Sequence, residues 1–261
     1  MRVGGFSLGA SAVLPALVVC GSALAASGDE CVAAKLTPAV ADRALGGNTI
    51  ALADGTVVRL AGVVAPRGGT FAEEARQRLQ ALTGGKPVLL GDQRPTPDRY
   101  GRIVARVFLG EDRNWVEGVL LRAGLLQVFT LRDDRACARA LLAAEAAARE
   151  AKAGLWADPQ FAIRRADDSS LSRAGGLYQI VEGEVLSTGR TAVAAYLNFG
   201  RNWSTDFTVT VNMADAELFE SEGLDLDALA GRRIRVRGWL SVKDGAAMRV
   251  DHPEQIELLG K

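Results

Sequence analysis

The 261-residue chain contains one histidine, His252, and only three cysteines, Cys20, Cys31 and Cys137. A single histidine excludes sites built on paired imidazoles, and the lack of any Cys-x-x-Cys pair removes the usual zinc and redox spacings. Neither sign of charge is in excess, since Lys plus Arg and Asp plus Glu both number 31. Domains that hold nucleic acid through their overall field carry a clear basic excess, so phosphate recognition here requires a local cluster. Aromatics are scarce at 6%, and no hydrophobic run reaches the length that spans a bilayer. Phosphate-loop glycines and the Gly-x-Ser-x-Gly elbow are also absent. What remains is an ordinary globular composition, 48% hydrophobic and 24% charged. The length suits one large or two modest domains, each with its own core.

Residues 1–25 read as an export signal. Met1-Arg2 supplies a positive charge, Val13 to Val19 is a short apolar run, and Ala23-Leu24-Ala25 is a small-x-small cleavage pattern. A lipoprotein anchor at Cys20 is disfavoured, because the bulky Val19 stands where such signals take a small residue. The expected location is therefore periplasmic or secreted. In an oxidising compartment Cys31 and Cys137 are expected to pair, tying residues 26–43, an N-terminal arm, to a helix beneath the first domain. The alternative is two unconnected thiols.

Apolar alternation in Thr49-Ile50-Ala51-Leu52 and Val57-Val58-Arg59-Leu60, around the turn Ala53-Asp54-Gly55, predicts a hairpin. Asp54 reads as a solvated turn residue. Helical spacing of Phe71, Ala75, Leu79 and Leu82 predicts a first helix ending at Gly84-Gly85, opened by Glu73 and Glu74. Strands are predicted at 87–90 and 103–109, and a second helix from an Asn114 cap to Arg122. The Ala-rich segment 136–153 predicts a third helix, stopped by Gly154-Leu155-Trp156. Residues 161–173 read as a linker. Beyond it, period-two patterns at 178–185, 193–199, 206–211, 233–242 and 248–250, with a helix at 214–221, give the order of a small OB-type barrel over 174–261.

Two motifs within residues 44–160 carry a resemblance. The run Asn48-Thr49-Ile50 through Val63-Val64-Ala65-Pro66 resembles the opening of thermonuclease (staphylococcal-nuclease-like) domains, and Asp98-Arg99-Tyr100-Gly101-Arg102 resembles their second signature. The resemblance implies an α+β fold, mainly β: an OB-type barrel with three helices, followed here by the second small barrel. It also implies calcium-dependent cleavage of DNA or RNA, by two aspartates that ligate the ion, a glutamate that activates water and two arginines that hold the phosphate.

Transferred by position, the arginines are kept as Arg59 and Arg102, the phosphate-contacting members of a catalytic set. The carboxylates are lost. The family's Asp-Gly-Asp-Thr reads Gly46-Gly47-Asn48-Thr49, so the first calcium aspartate is Asn48. The second aspartate is Val64 and the glutamate is Arg67. Three acids with two arginines carry −1; the three arginines Arg59, Arg67 and Arg102 carry +3. A guanidinium a few ångströms from a divalent ion costs on the order of 1 kcal/mol in water-like surroundings, and several at an effective dielectric near 20.

No cofactor and no metal is therefore expected, and calcium only if relocated ligands such as Glu73 or Glu74 restore a nuclease. Asp98 reads as a turn acceptor. Arg59, Arg67 and Arg102 are expected to form an anion site for nucleic acid or another polyanion, widened by Arg94 and Arg99. Arginines paired structurally to acids such as Asp98 are the plainer alternative. Phe129 is the sole aromatic where the family stacks substrate on tyrosines, which weakens base stacking. Tyr196, Phe199, Trp203 and Trp239 of residues 174–261 either stack nucleic acid or fill a core, with the core preferred. That half is also a candidate for docking a protein partner, in the extreme as an envelope interaction module. His252 has no companion ligand nearby in sequence and a metal role for it is not expected.

Overall fold

The computed structural model describes residues 1, 31–110, 113–202 and 204–260. The expected signal segment, Cys20 and Trp203 lie outside them. No described helix is long and apolar enough to cross a membrane.

The first half contains β1 (Leu36–Gly46), β2 (Thr49–Leu52), β3 (Val57–Leu60), β4 (Val63–Val64), α1 (Gly69–Thr83), β5 (Pro87–Gly91), β6 (Ile103–Leu109), β7 (Asn114–Trp115), α2 (Val116–Arg122), β8 (Gln127–Val128) and α3 (Ala138–Glu150). Strand β1 is long enough to pair with β2 and β5 along its length, and its register with β2 shifts twice, which bends it. Strands β3 and β6 pair in parallel, closing a five-strand barrel in the order β1-β2-β3-β6-β5. Inward residues such as Ile50, Val58, Leu60, Val88, Leu90, Ala105 and Val107 are buried and meet Leu79 of α1 with Leu120 and Leu121 of α2. Leu141 of α3 joins the same core.

The second half adds β9 (Arg164–Arg165), β10 (Tyr178–Glu184), β11 (Ser187–Arg190), β12 (Ala194–Asn198), β13 (Thr208–Asn212), α4 (Met213–Ser221), β14 (Arg233–Val242), β15 (Ala246–Val250) and β16 (Ile256–Leu258). Its pairings repeat the first half. Strand β10 pairs with β14, β11 with β12, and β13 with β15 in parallel. Strands β10 and β11 are one bent strand in function: Val185 N–H still bonds Arg232 O, while the next amide, Leu186, bonds Asn198 O. Helix α4 lies between the third and fourth strands, as α1 does in the first barrel. Both halves are thus OB-type barrels in an α+β chain, as the sequence leads one to expect.

Several local expectations change. Residues 36–43, placed in an arm, are the start of β1. Helix α1 begins at Gly69, so Glu73 and Glu74 sit in its second turn and no acid occupies the first. Asn114 does not cap α2; it pairs with Leu109 in β7, and the helix starts at Val116. The expected linker is structured, because β9 runs parallel to β10 and short 3₁₀ turns flank it. Asp54 accepts the Thr56 amide at 2.9 Å, an exposed turn contact.

Two features lock the first barrel. Cys31 and Cys137 form a disulfide with a Cα–Cα distance of 5.2 Å, joining the segment before β1 to the start of α3. Gly124 and Gly154 face each other so closely that a Cβ on Gly124 would lie 2.0 Å from Ala153 O. That approach lets Leu155 N–H bond Gly124 O at 2.9 Å and buries Leu155 completely. Beneath the barrel, Glu117 of α2 is fully buried and accepts the Val107 amide at 3.2 Å. Burial pushes its carboxyl up to about 8, against hydrogen bonds and the Arg106 charge that pull the other way.

Candidate anion site and the interface between the barrels

Arg59 lies in β3, opposite Thr49 of β2 and beside Val104 of β6. Arg102 precedes β6, at the end of a tight turn organised by Asp98. The Asp98 carboxylate accepts the Tyr100 amide at 2.9 Å, the Arg102 amide at 3.1 Å and Arg102 Nε at 2.8 Å. Burial raises its pKa, but the hydrogen bonds from Arg102 and the backbone outweigh this and hold it below the ordinary value. Arg102 also reaches Thr49 Oγ1 at 3.5 Å, which brings the two arginines to one side of the barrel.

Arg59 differs from its neighbours. Its guanidinium is half-buried, lies 5.5 Å from the Phe129 ring centroid and donates from Nη2 to Val63 O at 3.3 Å. It has no carboxylate partner among the described residues. Arg102 is neutralised by Asp98 at 2.7 Å, Arg94 pairs with Asp133, and Arg106 with Asp134. Burial and the nearby Arg102 charge lower the Arg59 pKa, offset in part by Asp98. A half-desolvated cation with one neutral acceptor keeps most of its hydrogen-bonding capacity for an anion.

The positions that the resemblance gives to acids are occupied as follows. The Asn48 amide donates to the same Val63 O at 3.2 Å, and its oxygen accepts from Thr49 Oγ1 at 3.3 Å. Val64 sits opposite Gln127 across β4 and β8. Arg67 is exposed and lies 4.7 Å over the Trp239 ring. It lines a crevice between the barrels whose walls do not include Arg59 or Arg102. So two of the three expected anion ligands come together, and the third is drawn to the second barrel. Glu73 is committed to Arg76 and Gln77 on the exposed face of α1. Among the described residues no three His, Cys, Asp or Glu side chains converge to hold a metal.

The stretch where the resemblance places stacking tyrosines is covered. Phe129 makes edge contacts with Tyr178 and Trp239, at 5.6 and 6.2 Å between centroids. Tyr178 Oη donates to Val128 O at 2.5 Å, and burial pushes its hydroxyl well above the usual range. His252 Nε2 lies 2.7 Å from Thr130 Oγ1, and its Nδ1 lies 2.6 Å from Asp251. That histidine and Trp239 are parts of the barrel interface. Phe199 instead packs on Phe207 against the second core.

Sequence reasoning missed the charged centre of this interface. Glu145 of α3, fully buried, accepts the Val128 amide at 2.8 Å and binds Arg237 of β14 at 2.8 Å. Arg237, 1% exposed, is also paired with Glu257, while Arg149 joins Glu145 and Glu257. One signal was available: Leu141, Ala144, Glu145 and Ala148 share a helical face, so an acid stands in an apolar stripe.

A closed OB-type barrel carrying an arginine pair at one side, with helices beneath, defines the class of the first half. Residues 57–158 match the family model described as Staphylococcal nuclease homologue. The chain thus contains a staphylococcal-nuclease-like domain. No curated protein matches the chain.

Proposed function

We propose that the nuclease-like barrel binds phosphate groups of a nucleic acid strand or another polyanion without hydrolysing them. The carrying observation is Arg59, which has no carboxylate partner among the described residues and lies beside Arg102, where Asn48 and Val64 replace calcium ligands. Two guanidinium groups favour a phosphate oxyanion, whereas a valine and a neutral amide leave no oxygen cage for a hard cation. The aromatic stretch covered by the second barrel favours backbone contact over base reading. The pattern of residues 1–25 supports a periplasmic or secreted setting.

The test compares purified protein with the triple variant Asn48→Asp, Val64→Asp and Arg67→Glu on DNA and RNA, with calcium and with a chelator. The native protein should not cleave but should bind an oligonucleotide in a salt-dependent manner, and Arg59→Gln should weaken that binding about tenfold. Chelator-sensitive cleavage by the native protein at the rate of the restored variant overturns the reading.

A further inference from the structure

Two contacts place the Arg59 guanidinium among the described residues: its Nη2 donates to Val63 O at 3.3 Å, and it lies over the Phe129 ring, 5.5 Å from the centroid. Both contacts belong to one short pairing. Val63 of β4 faces Val128 of β8, and Phe129, which follows β8, donates its amide to Gly62 O at 2.8 Å. The second barrel grips the same piece of chain at three successive residues. Tyr178 Oη donates to Val128 O, Tyr178 and Trp239 meet the Phe129 ring edge to face, and His252 bonds the Thr130 hydroxyl. Tyr178 and Trp239 also meet each other, at 5.3 Å between centroids.

The ring that carries Arg59 thus takes both of its aromatic neighbours, among the described residues, from the second barrel. An arginine loses the freedom of a long side chain when a ligand fixes it. A ring face that already holds the guanidinium removes part of that loss, and its attraction for the cation strengthens where water is excluded. The ring can do this only if it is itself held in place, and Tyr178 and Trp239 hold it.

Resting on the reading of Arg59 as a phosphate ligand, we infer that Phe129, braced by Tyr178 and Trp239, is a positioning residue for Arg59. The second barrel is thereby a working part of the phosphate site. By linkage, a phosphate strand held at Arg59 tightens the packing of Trp239 by the same factor as that packing tightens the strand.

Titration of the full chain with single-stranded oligothymidylate over a range of salt concentrations tests the assignment. Phe129 is half-buried and outside the first core, so its truncation leaves the barrel folded. Phe129→Leu should weaken binding about fivefold and Trp239→Leu about threefold. Neither removes a charge, so the slope of log affinity against log salt should match the native slope, whereas Arg59→Gln should lower it by about 0.7. Added to Arg59→Gln, Phe129→Leu should cost nothing further, because it acts through that arginine. Trp239→Phe keeps a ring against Phe129 and should bind within about twofold of the native chain. With 5-fluorotryptophan in the chain, the Trp239 fluorine resonance should move on saturation in the native protein and stay in place in Phe129→Leu. Unchanged affinity in Phe129→Leu, an equal loss with and without Arg59, or a Trp239 resonance that ignores the strand each overturns the inference while leaving the phosphate site standing. A native chain that binds no oligothymidylate removes the phosphate site and the brace together, so the two failures are told apart.

Discussion

The two barrels share a strand order but differ in how they treat an arginine on a central strand. In the second, Arg237 is sealed between Glu145 and Glu257 and is 1% exposed. In the first, Arg59 is half-buried with only the Val63 carbonyl, among the described residues, to accept from it. A guanidinium completed by carboxylates belongs to the architecture, and one left with a neutral acceptor retains affinity for an incoming anion. Identical topology therefore says little about function; the partners around each cation say more.

The sharpest way to break this comparison is Glu145→Leu. It leaves Arg237 and Arg149 to share Glu257 beside an apolar wall and takes the acceptor from the Val128 amide, and chemical denaturation should show a loss of about 3–5 kcal/mol. A loss below about 1 kcal/mol would remove the distinction between the two arginines.

A second buried acid, Glu117, sharpens it by having no ion pair among the described residues. Its carboxyl titrates at about 8 in the fold against 4.5 in the unfolded chain. Below the lower value both states hold the proton. Between the two only the unfolded state ionises, so stability falls as pH rises, and above the higher value it levels off. The difference in unfolding free energy between the native protein and Glu117→Gln should change by a few kcal/mol across that window. A constant difference would mean that Glu117 is ionised in the fold.

Smaller effects follow at the contact between barrels and at the open site. Tyr178→Phe leaves the Val128 carbonyl unsatisfied and should cost about 1 kcal/mol. Arg59→Gln should shift the unfolding midpoint least, within about 0.5 kcal/mol, while oligonucleotide affinity drops. Equal losses in Arg59→Gln and Tyr178→Phe would argue that Arg59, too, is structural.

Much of this was legible in the sequence. Alternation at 57–60 and 233–242 reports strands with one face in a core, and Gly154 marks the stop after the third helix, though not the close approach to Gly124. Asn114 misled because a capping residue and a short edge strand look alike without the partner strand. Arg164-Arg165 gave no strand signal, since two charged residues on an outer strand have no apolar alternation. Arg67 was grouped with Arg59 because sequence position showed the missing glutamate but not the pull of Trp239, 172 positions later. The interface itself was invisible for the same reason. Its pairs join residues such as Thr130 and His252, separated by 122 positions, and no local pattern reports them.

The reach of the Glu145–Arg237 pair, 92 residues along the chain, bears on how the molecule is born. As the polypeptide lengthens from its N-terminus, α3 is complete, with Arg149 beside Glu145, long before the second cation, Arg237, has been made. Until β14 arrives, Glu145 has only Arg149 and the Val128 amide, among the described residues, to hold its charge. The first barrel reaches its final form only when the second is there to receive it.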